Sequence, residues 1–328
     1  MNIVYLIGNG FDRNLNLSTD YKSFYNYYST QPSNSEEIKS LKKEIISDYK
    51  NWSDLEEALG KYFEHISNEN IAKEIHKDLL DNLQKYILEQ DKKFKPTKSY
   101  IQPFLKELFY PLDSLRNNQK KSLYDGLLRG EQEKNLYIIS FNYTETIERL
   151  LNYENTPILY TKYRGYEHIL KEIEHIHGFC NPQKGRMALG LDNENQIHNP
   201  ILAKSRIVSN RFIKPTYNSL YGVDHHSKCL NWIKGASFIC IFGMSIGVSD
   251  QTWWHAIGTK LKNSNSVLLY FYYDGFELNN NNAPDFQEQI DYLKDNLLPK
   301  LGIDDINNQD IRNRIYISCS KKMFKYNE

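Results

Sequence analysis

The sequence predicts an α/β protein with a doubly wound, mainly parallel sheet and a large helical insertion after the first strand. The N-terminus carries an apolar, β-rich run at 3–7 that leads directly into two glycines two positions apart. Further apolar runs at 135–140, 237–242 and 267–273 are each followed by a polar or glycine-bearing turn. Buried parallel strands have this continuous apolar character, and strands that alternate with helices join into one parallel sheet.

The stretch from residue 21 to about residue 128 has a helical pattern. Apolar residues recur three and four positions apart, and β-branched runs are few. Helices are predicted to begin near Tyr21, after the N-cap cluster 18–20, and at Ser35. Another begins at Ser53 with Glu56 as its capping-box partner, and a further helix spans about 71–90.

The α/β pattern resumes after the helical block. We expect a helix to about 151, a strand or hairpin at 158–163 and 173–178, a strand at 186–192, helices at 219–233, 250–261 and 285–298, a solvated loop tip at 279–282, and a last strand at 314–318. Residues 1–24 and 131–328 are therefore predicted to form a Rossmann-like α/β nucleotide-binding core. Residues 25–130 form the inserted helical domain.

Composition excludes several classes of partner. Lys+Arg 41 balance Asp+Glu 41, so no global positive field favours nucleic acid. No apolar run approaches the roughly 20 residues that cross a bilayer, and no secretion signal is visible. The four cysteines form no C-x-x-C pair, which argues against structural zinc and disulfides. We expect a cytoplasmic protein with no membrane partner and no metal.

Ligands of doubly wound sheets bind beyond the carboxyl ends of the strands. Four segments are predicted to emerge at that edge: 8–12, 142–144, 177–178 and 243–245. The first could hold a phosphate against its backbone N–H groups, although a plain strand-to-loop turn explains it equally well. The candidate ligand-binding residues in and beside these segments are Gly8, Asn9, Gly10, Phe11, Asp12, Thr19, Gly178, Gly243, Ser245 and Asp250.

Two candidate catalytic residues follow strands. The carboxamide of Asn142 could offer a donor and an acceptor to a ribose or a water; an Asx-turn that caps the next helix is the alternative. His175 and His177 lie two apart and are expected to point to one side of the sheet. Imidazoles titrate near neutral pH, so one of them could act as a general base. A structural histidine bonded to a backbone carbonyl is the alternative.

Other polar residues carry weaker signals. Asp12 and Asp250 fit helix or turn caps better than acids, and Lys214 is a candidate phosphate contact. No histidine spacing resembles a zinc signature, and no Walker, Gly-x-Ser-x-Gly or two-metal nuclease motif is present.

A set of motifs spread over nearly the whole chain resembles the AbiH family, which is associated with abortive infection, a bacterial defence against phage. The motifs are Ile7-Gly8-Asn9-Gly10-Phe11-Asp12, Leu17-Ser18-Thr19-x-Tyr21-x-x-Phe24, Trp52-x-Asp54-Leu55-Glu56, Ser140-Phe141-Asn142-Tyr143-Thr144, His175-Ile176-His177-Gly178 and Gly243-Met244-Ser245-Ile246-x-x-x-Asp250. The resemblance implies an anti-phage effector, with a phage component as a candidate trigger.

The order of the motifs is also similar to that of the sirtuin-type NAD-binding fold. This resemblance implies that Gly8, Gly10 and Ser245 hold a pyrophosphate, that Asn142 binds the ribose and the water, and that His177 is the catalytic base. NAD would then be the substrate, cleaved at its nicotinamide–ribose bond. A non-catalytic sensor of an ADP-ribose-like nucleotide and an RNA- or DNA-directed toxin stay open as alternatives, as does homo-oligomerisation.

Overall fold

The computed structural model describes residues 1–126, 132–163, 165–222, 224–272, 283–319 and 323–326. The predicted loop tip at 279–282 lies outside these residues. The strands are β1 (Asn2–Ile7), β2 (Lys134–Ser140), β3 (Ile158–Tyr163), β4 (Tyr166–His175), β5 (Phe238–Phe242), β6 (Val267–Tyr272) and β7 (Ile315–Cys319). The helices are α1 (Gly10–Asn14), α2 (Tyr21–Ser29), α3 (Glu36–Ser47), α4 (Leu55–Tyr62), α5 (Glu69–Asp91), α6 (Ile101–Phe109), α7 (Asn117–Gly126), α8 (Thr146–Leu151), α9 (Pro200–Ala203), α10 (Arg206–Phe212), α11 (Lys214–Leu220), α12 (His225–Gly235), α13 (Gln251–Lys262), α14 (Ala283–Lys300) and α15 (Gln309–Arg312).

The strands form one sheet in the order β3-β4-β2-β1-β5-β6-β7, and only the β3–β4 pair is antiparallel. The α/β class is therefore confirmed. From β1 the chain adds β2 on one side and later adds β5 on the other, so the topology switches direction at β1. Ile7 at the end of β1 pairs with both Ser140 of β2 and Phe242 of β5, so the segments that follow these three strands lie together.

Alternate residues of β1 enter different cores. Tyr5 and Ile7 pack in a cluster with α6 and α8, whereas Val4 and Leu6 pack in a cluster with α13 and α14. Period-two alternation sends successive side chains to opposite faces, so an entirely apolar strand requires helices on both. This requirement explains why β1 lies in the middle of the sheet.

A third core joins α2, α3, α4 and α5 to residues 180–213, which follow β4. Phe212 of α10 illustrates the contact, since its ring packs against Phe63 and His76 at centroid distances of 4.6 and 4.4 Å. The helical block therefore packs against a later part of the chain, beyond β4. The predicted division into two domains stays a prediction.

The predicted strand at 186–192 is wrong. Leu191 makes only an isolated bridge with Ile213. The neighbouring Gly190 donates its N–H to a Glu56 carboxylate oxygen at 3.0 Å, and a Cβ on Gly190 would lie 2.1 Å from the Phe212 carbonyl oxygen. The apolar run is buried because the Phe212 backbone of α10 and the Glu56 side chain pack against it. These neighbours occupy the position that a paired strand would need.

The helix predicted at 219–233 is confirmed from residue 225 onward, but its predicted start is wrong, because α11 ends and α12 begins within that stretch. The helix α11 ends at Leu220, Gly222 adopts a left-handed φ of 67°, and Asp224 caps α12 by accepting the Ser227 N–H at 3.0 Å. Glycine adopts this conformation without a steric penalty, and aspartate is a preferred N-cap. No helix of the described ranges is both long enough and apolar enough to cross a membrane.

Candidate functional site

A cleft of about 720 Å³ lies at the carboxyl edge of the sheet, where the segments following β1, β2 and β5 meet residues of α4 and α14. Most of the candidate residues line it. These are Gly8, Asn9, Gly10, Asp12, Thr19, Asn142, His177, Gly243, Ser245 and Asp250. Phe11 and Gly178 lie outside the lining. Whether any of these residues binds a ligand stays a prediction.

The two candidates outside the lining have structural surroundings. Phe11 is fully buried and packs its ring against Phe104, Phe242 and Phe324. Gly178 has a φ of 72°, and a Cβ there would lie 1.7 Å from the Arg186 carbonyl oxygen. Close backbone packing therefore explains this glycine without a ligand.

The glycines at the ends of β1 and β5 pack against each other. A Cβ on Gly10 would lie 2.5 Å from the Cα of Gly243, which has a φ of 68°. The N–H of Gly8 donates to the Phe242 carbonyl at 2.9 Å, and the N–H of Gly10 donates to the Gly243 carbonyl at 2.8 Å. These two N–H groups are therefore already bonded within the protein, and the phosphate contact expected of this turn stays a prediction.

Asn142 has a fixed backbone and an unpaired amide. Its N–H donates to the Ser140 hydroxyl at 3.3 Å, and its carbonyl accepts from His175 Nδ1 at 2.9 Å. The residue is only 5% exposed, yet its Nδ2 has no hydrogen-bond partner. The Asx-turn alternative is wrong, because α8 begins at Thr146 and no side chain caps it. Asn142 lines the cleft, so its unpaired amide is a candidate donor to a ligand there.

His175 and His177 reach different elements. β4 ends at His175, so strand alternation does not extend to His177, and the expected common side is wrong. His175 Nε2 lies 2.7 Å from Glu148 Oε1 of α8, whereas its Nδ1 holds the Asn142 carbonyl. Burial favours neutral His175, but Glu148 outweighs it and raises the pKa of the imidazole. His175 therefore positions the Asn142 backbone.

His177 lines the cleft beside a carboxylate. Its Nε2 lies 3.2 Å from Asp250 Oδ1, and its ring makes edge and tilted contacts with the rings of Phe141 and Tyr143. The imidazole is 6% exposed. An imidazole held by a carboxylate on one nitrogen has the other nitrogen available for proton transfer.

Asp250 does not cap α13, so the cap expectation is wrong for this residue. Its Oδ1 accepts from Lys214 Nζ at 2.8 Å, and Lys214 also donates to Glu56 Oε2 at 2.9 Å. Burial alone would raise the pKa of Asp250, but Lys214 and His177 hold it well below its usual range. Lys214 is buried in these ion pairs, so the expected phosphate contact by Lys214 is wrong.

Asp12 is also held by side chains from elsewhere in the chain. Its carboxylate accepts from Thr146 at 2.7 Å and from Thr144 at 2.8 and 3.0 Å, and it caps no helix. Burial raises the pKa of Asp12 to about 6, against the opposing effect of the threonine hydroxyls. The cap expectation is therefore wrong here too.

Three acidic residues of the lining, Asp20, Asp54 and Glu56, were not among the predicted site residues. Asp54 caps α4 through the N–H groups of Glu56 and Glu57, so the predicted cap at Ser53 is wrong. Its second oxygen accepts from Ser249 at 2.9 Å. Burial raises the pKa of Glu56, although Lys214 opposes this. The only sequence signal for Asp54 and Glu56 was their motif around Trp52.

No set of metal ligands is evident in the described part of the chain. Within the described ranges, no group of three or more histidine, cysteine, aspartate or glutamate side chains is arranged to hold a metal ion. Cys180, Cys229 and Cys240 are buried free thiols. Burial raises the pKa of each of them.

Fold and site together define an α/β protein with a polar, histidine-containing cleft at the topological switch point of a mainly parallel sheet. The family model described as bacteriophage abortive infection AbiH matches residues 4–272. The chain therefore belongs to the AbiH family, as its motifs predicted. The match begins within β1, runs to the end of β6 and includes every candidate site residue. No curated protein matches the sequence.

Proposed function

We propose that this chain is an abortive-infection effector that binds NAD and hydrolyses its nicotinamide–ribose bond. The observation that carries the proposal is the unpaired, buried amide of Asn142 in the same cleft as His177. A protein gains no stability from an amide that it leaves unpaired, and a ligand that accepts a hydrogen bond from this amide would satisfy it, which supports the proposal.

The strand order supports a dinucleotide. Without the antiparallel edge strand β3, the sheet order is β4-β2-β1-β5-β6-β7. It corresponds to the 3-2-1-4-5-6 order of the Rossmann fold, which binds dinucleotides across the crevice at its switch point. The cleft lies at that crevice.

The charges of the cleft suit the two ends of NAD. Asp54, Glu56 and Asp250 place carboxylates near His177, where a cationic nicotinamide ring would be stabilised. Arg13 and Lys300 also line the cleft and could pair with the pyrophosphate. In this proposal the cationic side chains, and not the glycine N–H groups, hold the phosphates.

Hydrolysis of this bond requires positioning and a base. The bond between C1′ and the nicotinamide nitrogen breaks, its electron pair leaves with nicotinamide, and an oxocarbenium-like ribose remains. The Asn142 amide donates to a ribose oxygen, while His177 takes a proton from the attacking water. The products are nicotinamide, ADP-ribose and one proton.

The test is NAD turnover by the purified chain, followed as nicotinamide and ADP-ribose by chromatography. We expect wild-type protein to release both products and Asn142→Ala and His177→Ala to lose at least about 100-fold in kcat. His198→Ala, an exposed histidine outside the lining, is the matched control. Turnover that is unchanged in both site variants, or absent while ADP-ribose still binds, would refute hydrolysis; the second result would indicate a nucleotide sensor.

A further inference from the structure

Behind His177 lies a buried cluster of charges whose ammonium group, that of Lys214, the hydrolysis scheme does not use. Lys214 is 5% exposed and donates to two carboxylates, Glu56 of α4 and Asp250 at the start of α13. Glu56 is itself 4% exposed and fixes Gly190 through its other oxygen. Burial of an ammonium is unfavourable unless carboxylates pair with it, so these two partners determine where the Lys214 ammonium lies.

One oxygen atom links this cluster to the imidazole. Asp250 Oδ1 accepts from Lys214 Nζ at 2.8 Å and faces His177 Nε2 at 3.2 Å. An ionised carboxylate can only accept, so His177 must present Nε2–H to it. In neutral His177 the proton acceptor is then Nδ1, which has no hydrogen-bond partner among the described residues.

Other charged groups face the same cluster. The Asp192 carboxylate accepts the Thr252 N–H at 2.9 Å, and it lines a small cavity of about 10 Å³ with His177, Lys214 and His226. Asp54 adds a further negative charge from the N-terminus of α4. Carboxylates therefore outnumber the one ammonium of the cluster, and removal of Lys214 would leave Asp250 beside like charges.

We propose that Lys214, locked in place by Glu56, is a positioning residue that keeps Asp250 ionised and thereby fixes His177 with Nδ1 as the base. The catalytic use of this arrangement rests on the proposed NAD hydrolysis, whereas the arrangement itself can be tested without it. In the reaction an O–H bond of the attacking water breaks, its proton moves to Nδ1 of His177, and Asp250 stabilises the resulting imidazolium. Lys214 keeps its proton throughout.

The test is ¹⁵N NMR of the histidine side chains, which reports the ring nitrogen that carries the proton. NAD turnover of the same proteins is measured in parallel. In wild-type protein we expect the neutral form of His177 to carry its proton on Nε2. In Lys214→Met the neutral form should shift its proton to Nδ1, because an Asp250 that Lys214 no longer keeps ionised can donate a proton to Nε2. The kcat of NAD turnover should fall with it, and Lys214→Arg should restore both.

Lys228→Met is the matched control, because Lys228 also bridges two carboxylates, Glu172 and Glu174, but lies outside the cleft. It should leave the proton of neutral His177 on Nε2. If Lys214→Met does not fold, Lys214→Met/Glu56→Gln removes one charge of each sign. It should move the same proton to Nδ1, since Asp250 has lost its contact with Lys214 here too.

A wild-type His177 that carries its proton on Nδ1, or an unchanged His177 tautomer in folded Lys214→Met protein, would overturn the proposal. Absence of NAD turnover together with the expected NMR results would instead refute the proposed function and leave the positioning role intact.

Discussion

Replacement of Asn142 by alanine should abolish ligand binding without lowering the stability of the ligand-free protein. The buried Nδ2 has no partner, and an unsatisfied buried polar group costs about 1–3 kcal/mol. Truncation removes that cost but also removes packing contacts of similar magnitude. We therefore expect the free energy of unfolding of the ligand-free Asn142→Ala variant to stay within about 1 kcal/mol of wild type, or to rise.

Thr146→Ala is the matched control. Thr146 is fully buried, and its hydroxyl donates to the Asp12 carboxylate at 2.7 Å. Its loss should lower the free energy of unfolding by about 1.5–3 kcal/mol, since this hydrogen bond involves a charged acceptor. Urea unfolding of the two variants, side by side with wild type, gives both values.

The binding half of the prediction uses ADP-ribose as the probe. Ligand at about 100 times its dissociation constant should stabilise wild-type protein by about 2.7 kcal/mol, and this gain should disappear in Asn142→Ala. If Asn142→Ala lost more than about 2 kcal/mol of stability and still gained the full ligand stabilisation, then Asn142 would be a structural residue and the reasoning from its unpaired amide would fail.

Two further predictions concern residues near the turn after β1. Burial raises the pKa of Asp12 from 3.8 to about 6, so the stability that its protonated form contributes below about pH 4 is lost as the pH rises through about 6. Asp12→Asn should therefore gain up to about 3 kcal/mol relative to wild type between about pH 4 and about pH 7.5, measured by urea unfolding; a difference independent of pH would contradict this. Gly10→Ala places a Cβ 2.5 Å from the Gly243 Cα and should cost about 1–3 kcal/mol and weaken ADP-ribose binding, whereas Gly235→Ala, whose nearest neighbour lies at 3.6 Å, should leave binding unchanged. Unaltered binding by a Gly10→Ala protein would show that contact between the two turns does not shape the cleft.

The sequence predicts the elements whose causes are local. The run 3–7 is apolar at every position because both faces of β1 are covered, and the structure gives β1 at Asn2–Ile7. The helix predicted from residue 21 begins there, with the Asp20 side chain accepting the Ser23 N–H, and Ser35 caps α3 in the same way. Strand hydropathy and helix capping depend on residues only a few positions apart, so a single sequence is enough to predict these strands and helix starts.

The predictions fail where a side chain that is distant in sequence, and not the local pattern, determines the contacts of a residue. Asp250 precedes a helix and so has the features of a cap, but its carboxylate is held by Lys214 and His177. Asp12 likewise is held by threonines more than a hundred positions away. Nothing in the spacing of these residues shows which side chains will meet, because the sheet topology decides it.

The glycine turn after β1 contributes to the shape of the candidate site. The N–H groups of Gly8 and Gly10 bond to β5 and the turn after it, so the turn after β1 shapes the cleft by close approach. One of the acidic side chains that line the cleft comes from α4, where Glu56 reaches Lys214 across 158 positions. A site completed in this way cannot be assembled by the sheet alone. Because Glu56 lies within the predicted insertion, deletion of residues 25–130 would leave Lys214 without one of its two carboxylates and would expose the cleft that holds Asn142.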